Sequence, residues 1–473
     1  MRRKEEILLY KILIKSIEKK YDYAELIKIF LRPDEFTLYA ETEYDEYVQN
    51  EAEPLVFNER ASNDKNEVKR ELYRRLSELT GRAPEWGILT GVRPVKLTGE
   101  LFERLGSEAA VRQELAETYL LDSEKIEILV ETYLYQQEVC GKPDEKSVGL
   151  YIGIPFCPTR CIYCSFTSNQ VGDAEIARYL DALKQEIAFA GRRMRETGLS
   201  IESIYIGGGT PTTLTEAQLD DLLDTLEANM DLSAVREFTV EAGRPDTITY
   251  EKLEVLKKHG IERISINPQS MKKETLELIG RSHQPGDIVK AFQKADWVGI
   301  PIVNADLIAG LPEETPDDFA ATLEAILALE PENITVHTLA VKRASRLVEV
   351  DKDFHYRQGE TVAAMLKIAR EKLRTAGFRP YYLYRQKHMA GSFENVGYCR
   401  ENTPSVYNIR IMEEKQTILA LGAGGISKMY YPKENRLERV PNVSNYEIYI
   451  SRLEEMLDRK EENIFKEVNK YAD

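Results

Sequence analysis

Tyr151-Ile152-Gly153-Ile154-Pro155-Phe156-Cys157-Pro158-Thr159-Arg160-Cys161-Ile162-Tyr163-Cys164 runs from a short β-branched segment into a loop whose cysteines follow a CxxxCxxC spacing. They are three of the five cysteines in 473 residues. Structural zinc usually recruits four ligands, commonly as two separated pairs, and no fourth Cys or His stands close by. Three thiolates this close suit three corners of a [4Fe–4S] cubane, and the iron left without a protein ligand is open to a small molecule. The loop therefore predicts a catalytic cluster held by Cys157, Cys161 and Cys164. Cys140 reads as an inert core thiol, and Cys399 shares no loop with the other three.

Outward from this loop, strand-like segments alternate with amphipathic helices, the pattern of a parallel sheet with helical crossovers. Six strands are expected at Gly149–Ile154, Ser203–Ile206, Glu237–Glu241, Arg263–Ile266, Ile302–Ile308 and Ile334–His337. Helix starts are written between them: Thr215 with Gln218 is a capping box, and Thr315-Pro316-Asp317-Asp318 puts Pro at the first helical position with carboxylates near the positive end of the dipole. Six such steps predict an α/β fold with a partial (β/α)6 barrel over residues 148–341.

Residues 1–147 read as an accessory α+β domain. Helices are expected at Leu8–Glu18, Ala24–Phe30 and Asn66–Leu79, with a strand at Glu35–Tyr44. Trp86 to Lys96 turns or grips an anion, Asp122 caps a helix through Glu138, and Gly141–Asp144 is the domain boundary. Beyond Val341, a helix at Glu360–Thr375, a strand at Arg379–Tyr384 and a helix at Tyr446–Arg459 make residues 342–473 a C-terminal cap on the substrate side.

Composition narrows the partners. With 42% hydrophobic and 30% charged residues the chain has the make-up of a folded globular protein. A net charge of −16, with a pI near 5.1, repels phosphate backbones, so no nucleic acid partner is expected. Lys11 and Lys15 interrupt the apolar start, and no run reaches the ~18 apolar residues of a membrane span. Three clustered thiols in an odd set do not describe a disulfide framework, which points to a reducing, cytoplasmic compartment.

In parallel barrels the loops after the strand C-termini face the active site. The second strand runs into Gly207-Gly208-Gly209-Thr210, where no side chain keeps a ligand from the backbone. The third ends in Glu241, the fourth leads to Gln269 and then Arg281, and the fifth carries Asp306. The plain alternative is that Glu241 and Asp306 only pair with Arg263 or Arg281, since buried carboxylates need partners.

The cysteine spacing with an aromatic before the last cysteine, Tyr163, resembles the signature of the radical S-adenosylmethionine (radical SAM) superfamily. The wider YIGIPFCPTRCIYCSF resembles the oxygen-independent coproporphyrinogen III oxidase family, in its HemZ-like branch, over about Val148 to Lys428. Two positions depart: Gly153 stands where a histidine is often found, and Phe166 where some members carry a fourth cysteine. The resemblance implies a [4Fe–4S] cluster and S-adenosylmethionine as cofactors. It places Tyr151, Gly208, Gly209, Thr210, Glu241, Gln269, Arg281 and Asp306 around the S-adenosylmethionine, with Tyr163 at its adenine. It implies a reduced cluster cleaving S-adenosylmethionine to a 5′-deoxyadenosyl radical, which starts the conversion of two coproporphyrinogen III propionates to vinyl groups. A tetrapyrrole substrate and an electron donor such as a flavodoxin or ferredoxin follow from it. Four substrate carboxylates need cations, and Lys342, Arg343 and Arg346, after the sixth strand, are the candidates. Related haem chaperones carry an HNxxYW-like stretch where this chain has Tyr407-Asn408-Ile409-Arg410-Ile411-Met412, without histidine or tryptophan. Haem binding without catalysis, or another radical reaction on a tetrapyrrole, is the alternative function.

Overall fold

A computed structural model describes residues 10–14, 20–40, 55–57, 64–166, 168–341, 345, 347, 358–386 and 393–471. It resolves into two compact units, one formed by the chain up to Tyr133 with short pieces at Arg385 and Phe393, the other by nearly all the rest.

The first unit holds a parallel sheet of order β2-β1-β3, with β1 at Tyr10–Ile14, β2 at Phe36–Ala40 and β3 at Leu55–Phe57. The helix expected at Leu8–Glu18 is therefore a strand where it is described. Ile12, Leu13 and Ile14 are all buried, so this central strand is covered on both faces and lacks the polar alternation that marks a half-exposed strand. Helices Lys20–Phe30 and Lys65–Thr80 pack Leu26, Ile27, Leu72 and Leu76 into the same core. The second of these starts where the Asp64 side chain accepts from Asn66 N at 2.9 Å and stops at left-handed Gly81. Asp122 caps the helix Ser123–Val139 by accepting from Glu124 N at 2.8 Å. Trp86–Lys96 turns the chain: Gly87 has φ +50° and lies so close to the carbonyls of Tyr119 and Leu120 that no Cβ fits, and Pro94 opens the helix Pro94–Leu105.

The second unit is built on one sheet of eleven strands. β4 (Ser147–Ile154), β5 (Ser200–Gly208), β6 (Glu237–Glu241), β7 (Arg263–Gln269), β8 (Ile302–Ala309) and β9 (Asn333–Thr338) lie side by side in chain order, all parallel. They cover all six expected strands. The capping box at Thr215 forms as expected, with Gln218 N donating to Thr215 Oγ1 at 3.2 Å, and the structure adds a second at Thr315, whose Oγ1 accepts from Asp318 N at 3.2 Å.

Beyond residue 341 come β10 (Arg379–Arg385), β11 (Glu394–Cys399), β12 (Thr417–Leu421), β13 (Ile426–Tyr431) and β14 (Arg436–Pro441). β12 adds to β4 as a seventh parallel strand and β11 runs antiparallel to β9, so the C-terminal residues extend both edges of the same sheet. The helix expected at Tyr446–Arg459 is two, Tyr446–Ser451 and Leu453–Lys460, broken at Arg452 where φ is −120° and ψ 30°. Among the described residues no helix is long and apolar enough to cross a membrane.

The two-residue period of a strand sorts the side chains of β4–β9. Leu150, Ile152, Ile204, Ile206, Val240, Ile264, Ile266, Ala305, Ile334 and Val336 are buried on one face, the face that helices of a βαβ sheet cover. Tyr151, Tyr205, Glu241, Ser265, Asn304, Asp306, Thr335 and His337 alternate with them and project from the other. That polar face is where the site lies.

Candidate active site

The cysteine loop follows β4 directly, and Cys157, Cys161 and Cys164 are all free thiols. The loop is pinned from several sides. Cys157 N donates to Asn169 O at 3.1 Å, Ile162 N to Ile279 O at 3.1 Å, and Cys164 N to Cys161 O at 3.2 Å. Arg244, 3% exposed, holds both carboxylate oxygens of Asp246 at 3.0 and 2.8 Å and donates to Thr159 within the loop and to Ser282. Burial pushes the thiols of Cys157 and Cys164 upward in pKa, partly offset at Cys157 by the Thr210 hydroxyl 3.5 Å from its Sγ. A bound cation favours the thiolate that burial disfavours, and cluster iron would supply that charge. Tyr163 packs beside Leu276, Ile279, Leu311 and Leu339, and its hydroxyl accepts from Arg281 Nη2 at 3.2 Å.

The glycine loop meets the end of β4. A Cβ on Gly209 would lie 2.5 Å from the Phe156 carbonyl oxygen and 2.9 Å from that of Ile154; one on Gly208, at φ +111°, would lie 3.2 Å from the Tyr151 hydroxyl. The amides of Gly208, Gly209 and Thr210 donate to Glu241 Oε2 (3.3 Å), Ile154 O (2.8 Å) and Phe156 O (2.8 Å). These glycines thus first let the loop seat against the cluster-bearing segment. Gly209→Ala is expected to cost on the order of 1–3 kcal/mol through overpacking against backbone that cannot step aside, and to lower iron incorporation; thermal unfolding with iron analysis checks this.

Neither Arg263 nor Arg281 pairs with Glu241 or Asp306. Arg263 turns to Asn333 and to the carbonyls of Thr403 and Pro404, and Arg281 to the carbonyls of Asn267 and Gly243 and to Tyr163. Glu241 accepts instead from the Tyr205 hydroxyl at 2.6 Å. Burial, with nearby Asp306 adding, raises the Glu241 carboxyl to a pKa of about 7 despite the Tyr205 and Gly208 hydrogen bonds. Asp306 accepts from Asn304 Nδ2 at 2.7 Å, and His337 Nε2 stands 3.7 Å from its other oxygen. Two half-buried carboxylates that no guanidinium pairs among the described residues offer acceptors to hydroxyl donors.

Gln269 ends β7 at φ +66°, beside a register shift in the β7–β8 ladder, and its Oε1 is buried with no hydrogen-bond partner among the described residues. Asn267 Oδ1 and both ring nitrogens of His283 are in the same condition. A positive-φ backbone carrying orphaned acceptors next to Arg281 makes this segment a candidate for binding a ligand. The donor set therefore fits both implied groups: three thiols for iron, and carboxylate, amide and guanidinium groups for a polar adenosyl amino acid. Tyr151 stacks 6.3 Å from Tyr205, and Tyr407 stacks on Tyr205 at 4.7 Å. Lys342, Arg343 and Arg346 lie outside the described residues. Tyr205, Asn267, His283 and His337 join the expected set; the strand alternation that places Glu241 also places Tyr205, whereas Tyr407 comes from a distant helix that no local pattern connects to β5.

The model of the radical SAM superfamily matches residues 151–326. The chain is 39% identical over 403 residues to the oxygen-independent coproporphyrinogen-III oxidase-like protein HemZ of Bacillus subtilis, covering 84% of this chain and 80% of that protein. It is 34% identical over 238 residues to the haem chaperone HemW of the same organism, covering 49% of this chain and 61% of the chaperone. Among solved structures, the coproporphyrinogen III oxidase HemN of Escherichia coli shares the fold, with a TM-score of 0.52, 24% identity, and coverage of 68% of this chain and 72% of that one. At 39% identity across most of both proteins, the chain belongs to the HemZ branch of the coproporphyrinogen oxidase-like radical SAM proteins, whose cofactors are a [4Fe–4S] cluster and S-adenosylmethionine.

Proposed function

We infer that this chain carries out the oxygen-independent oxidative decarboxylation of coproporphyrinogen III propionates to vinyl groups, giving protoporphyrinogen IX. The observation that carries the reading is a free three-thiol loop at the mouth of a polar strand face, in a chain 39% identical to a coproporphyrinogen oxidase-like protein across most of both lengths. Cys157, Cys161 and Cys164 hold the cluster, and Glu241, Asp306, Gln269 and Arg281 hold S-adenosylmethionine. When bound, this pair supplies one-electron reduction and a radical able to remove hydrogen from an unactivated carbon. The chain orients both: Arg244 fixes the cysteine loop through Thr159, and Tyr205 fixes the Glu241 carboxylate. Lys342, Arg343 and Arg346 meet the substrate carboxylates in this reading, which for them rests on sequence.

A second reading, haem delivery, is favoured by the HemW likeness. Against it, Tyr407–Met412 lacks the histidine and tryptophan of the chaperone stretch and lies in a helix whose Ile409 and Arg410 are buried, with Arg410 held by Glu202 at 2.9 and 3.0 Å. Anaerobic incubation of reconstituted protein with coproporphyrinogen III, S-adenosylmethionine and reductant should yield protoporphyrinogen IX with 5′-deoxyadenosine. Stoichiometric haem binding without either product would instead establish the chaperone reading.

A further inference from the structure

The two carboxylates on the polar face each have a supporting partner from a neighbouring strand. Tyr205, on β5, places its hydroxyl 2.6 Å from Glu241 Oε1. His337, on β9, places Nε2 3.7 Å from Asp306 Oδ2, while the Tyr384 hydroxyl on β10 stands 3.4 Å from its Nδ1. Tyr205 has little freedom, because Tyr407 stacks on its ring at 4.7 Å and Tyr151 flanks it at 6.3 Å. Asp306 is fixed from its other side by Asn304, whose amide also donates to Ser265 at 3.1 Å and whose carbonyl accepts from Thr335 at 3.1 Å.

We propose that Tyr205 and His337 are positioning residues that keep the Glu241 carboxylate ionised and orient the carboxylates of Glu241 and Asp306 to accept the two hydroxyl groups of a nucleoside ribose. The proposal rests on the reading that these carboxylates bind S-adenosylmethionine, and adds the device that lets two acids work side by side. Two carboxylates on one partly dry face repel one another and are penalised by burial, so one of them tends to take up a proton. A protonated carboxyl uses one oxygen as a donor and no longer offers both to hydroxyl donors. Glu241 is the acid at risk: its pKa is raised to about 7 by burial and then by Asp306, and it is lowered by the Tyr205 and Gly208 hydrogen bonds and by His337. The groups facing Glu241 are Tyr205 from β5, the Gly208 amide, Asp306 from β8 and His337 from β9, with the un-ionised rings of Tyr151 and Tyr407 behind Tyr205. The tyrosine hydroxyl and the imidazole are thus the side chains that oppose protonation.

The direction follows. The ionised form binds, so affinity for S-adenosylmethionine rises as pH increases through about 7 and falls below it. Removing the Tyr205 hydroxyl moves that midpoint to higher pH. The test is equilibrium binding of S-adenosylmethionine to anaerobically reconstituted protein between pH 5.5 and 9, with iron content measured in parallel. Tyr205→Phe should bind roughly tenfold more weakly than wild type at pH 7, as expected for a lost charge-assisted hydrogen bond, and recover most of that loss by pH 9. His337→Gln should shift the profile the same way, and Glu241→Gln should bind weakly with no inflection near 7. A merely structural role for Tyr205 would lower affinity equally at every pH. That parallel loss in both Tyr205→Phe and His337→Gln, or wild-type profiles in both alongside weak binding by Glu241→Gln, overturns the positioning role and leaves the carboxylate assignment standing. Wild-type affinity in Glu241→Gln overturns the assignment itself and the proposal with it.

Discussion

Cys161→Ala is expected to lose its iron and sulfide and all reductive cleavage of S-adenosylmethionine, and Cys157→Ala and Cys164→Ala to do the same, whereas Cys140→Ala and Cys399→Ala should retain a full cluster. The contrast follows from where the thiols stand. The first three lie on one loop of eight residues, fastened to Asn169, Ile279 and Arg244 so that removing a thiol leaves its frame intact. Cys399 is buried with its sulfur 3.7 Å from the Tyr135 hydroxyl, and it shares with Cys140 an apolar cluster that includes Tyr381, Tyr382 and Ile409. Burial pushes the Cys399 thiol up to about 12 and Cys140 to about 11, as suits thiols that stay protonated. Iron and sulfide analysis of variants purified without oxygen checks this: full iron in Cys161→Ala, or its loss in Cys399→Ala, would move the cluster elsewhere.

Glu241→Ala and Asp306→Ala separate cofactor binding from cluster binding. Both should keep iron and lose cleavage to 5′-deoxyadenosine at limiting S-adenosylmethionine, because neither carboxylate takes part in holding the cysteine loop and neither is needed by an arginine. Each hydrogen bond to a charged group is worth about 1.5–3 kcal/mol, so either substitution should weaken affinity by roughly ten- to a hundredfold. Measuring 5′-deoxyadenosine against cofactor concentration reports it. Wild-type curves for both variants would mean that these acids serve only the fold.

The parts of this fold that sequence made legible are those with a local cause. The six strands β4–β9 stood out because β-branched runs bounded by glycine or polar residues alternate with capped helices; the capping box at Thr215 forms with Gln218, and Pro316 opens its helix as expected. β1 was hidden because Ile12, Leu13 and Ile14 are covered on both sides, which erases the alternation that separates strand from helix. β12 was hidden for the same reason: Thr417–Leu421 is a short apolar run whose meaning comes from pairing with β4, more than 260 residues earlier, and such pairing leaves no local trace. At the candidate site, Glu241, Gln269, Arg281 and Asp306 were expected from their places at or after strand ends, and three of them lie on β6, β7 and β8. The positive φ of Gln269, the orphaned nitrogens of His283 and the stacking of Tyr407 on Tyr205 depend on tertiary contacts and could be seen only in the folded chain.

A [4Fe–4S] cluster held by three thiols leaves one iron open to S-adenosylmethionine, and electron paramagnetic resonance of the reduced, anaerobically reconstituted protein, recorded with and without S-adenosylmethionine, reads that open iron. The expected result is the signal of a reduced [4Fe–4S] cluster whose shape changes when S-adenosylmethionine is added; no cluster signal, or a signal that S-adenosylmethionine leaves unaltered, would rule this arrangement out.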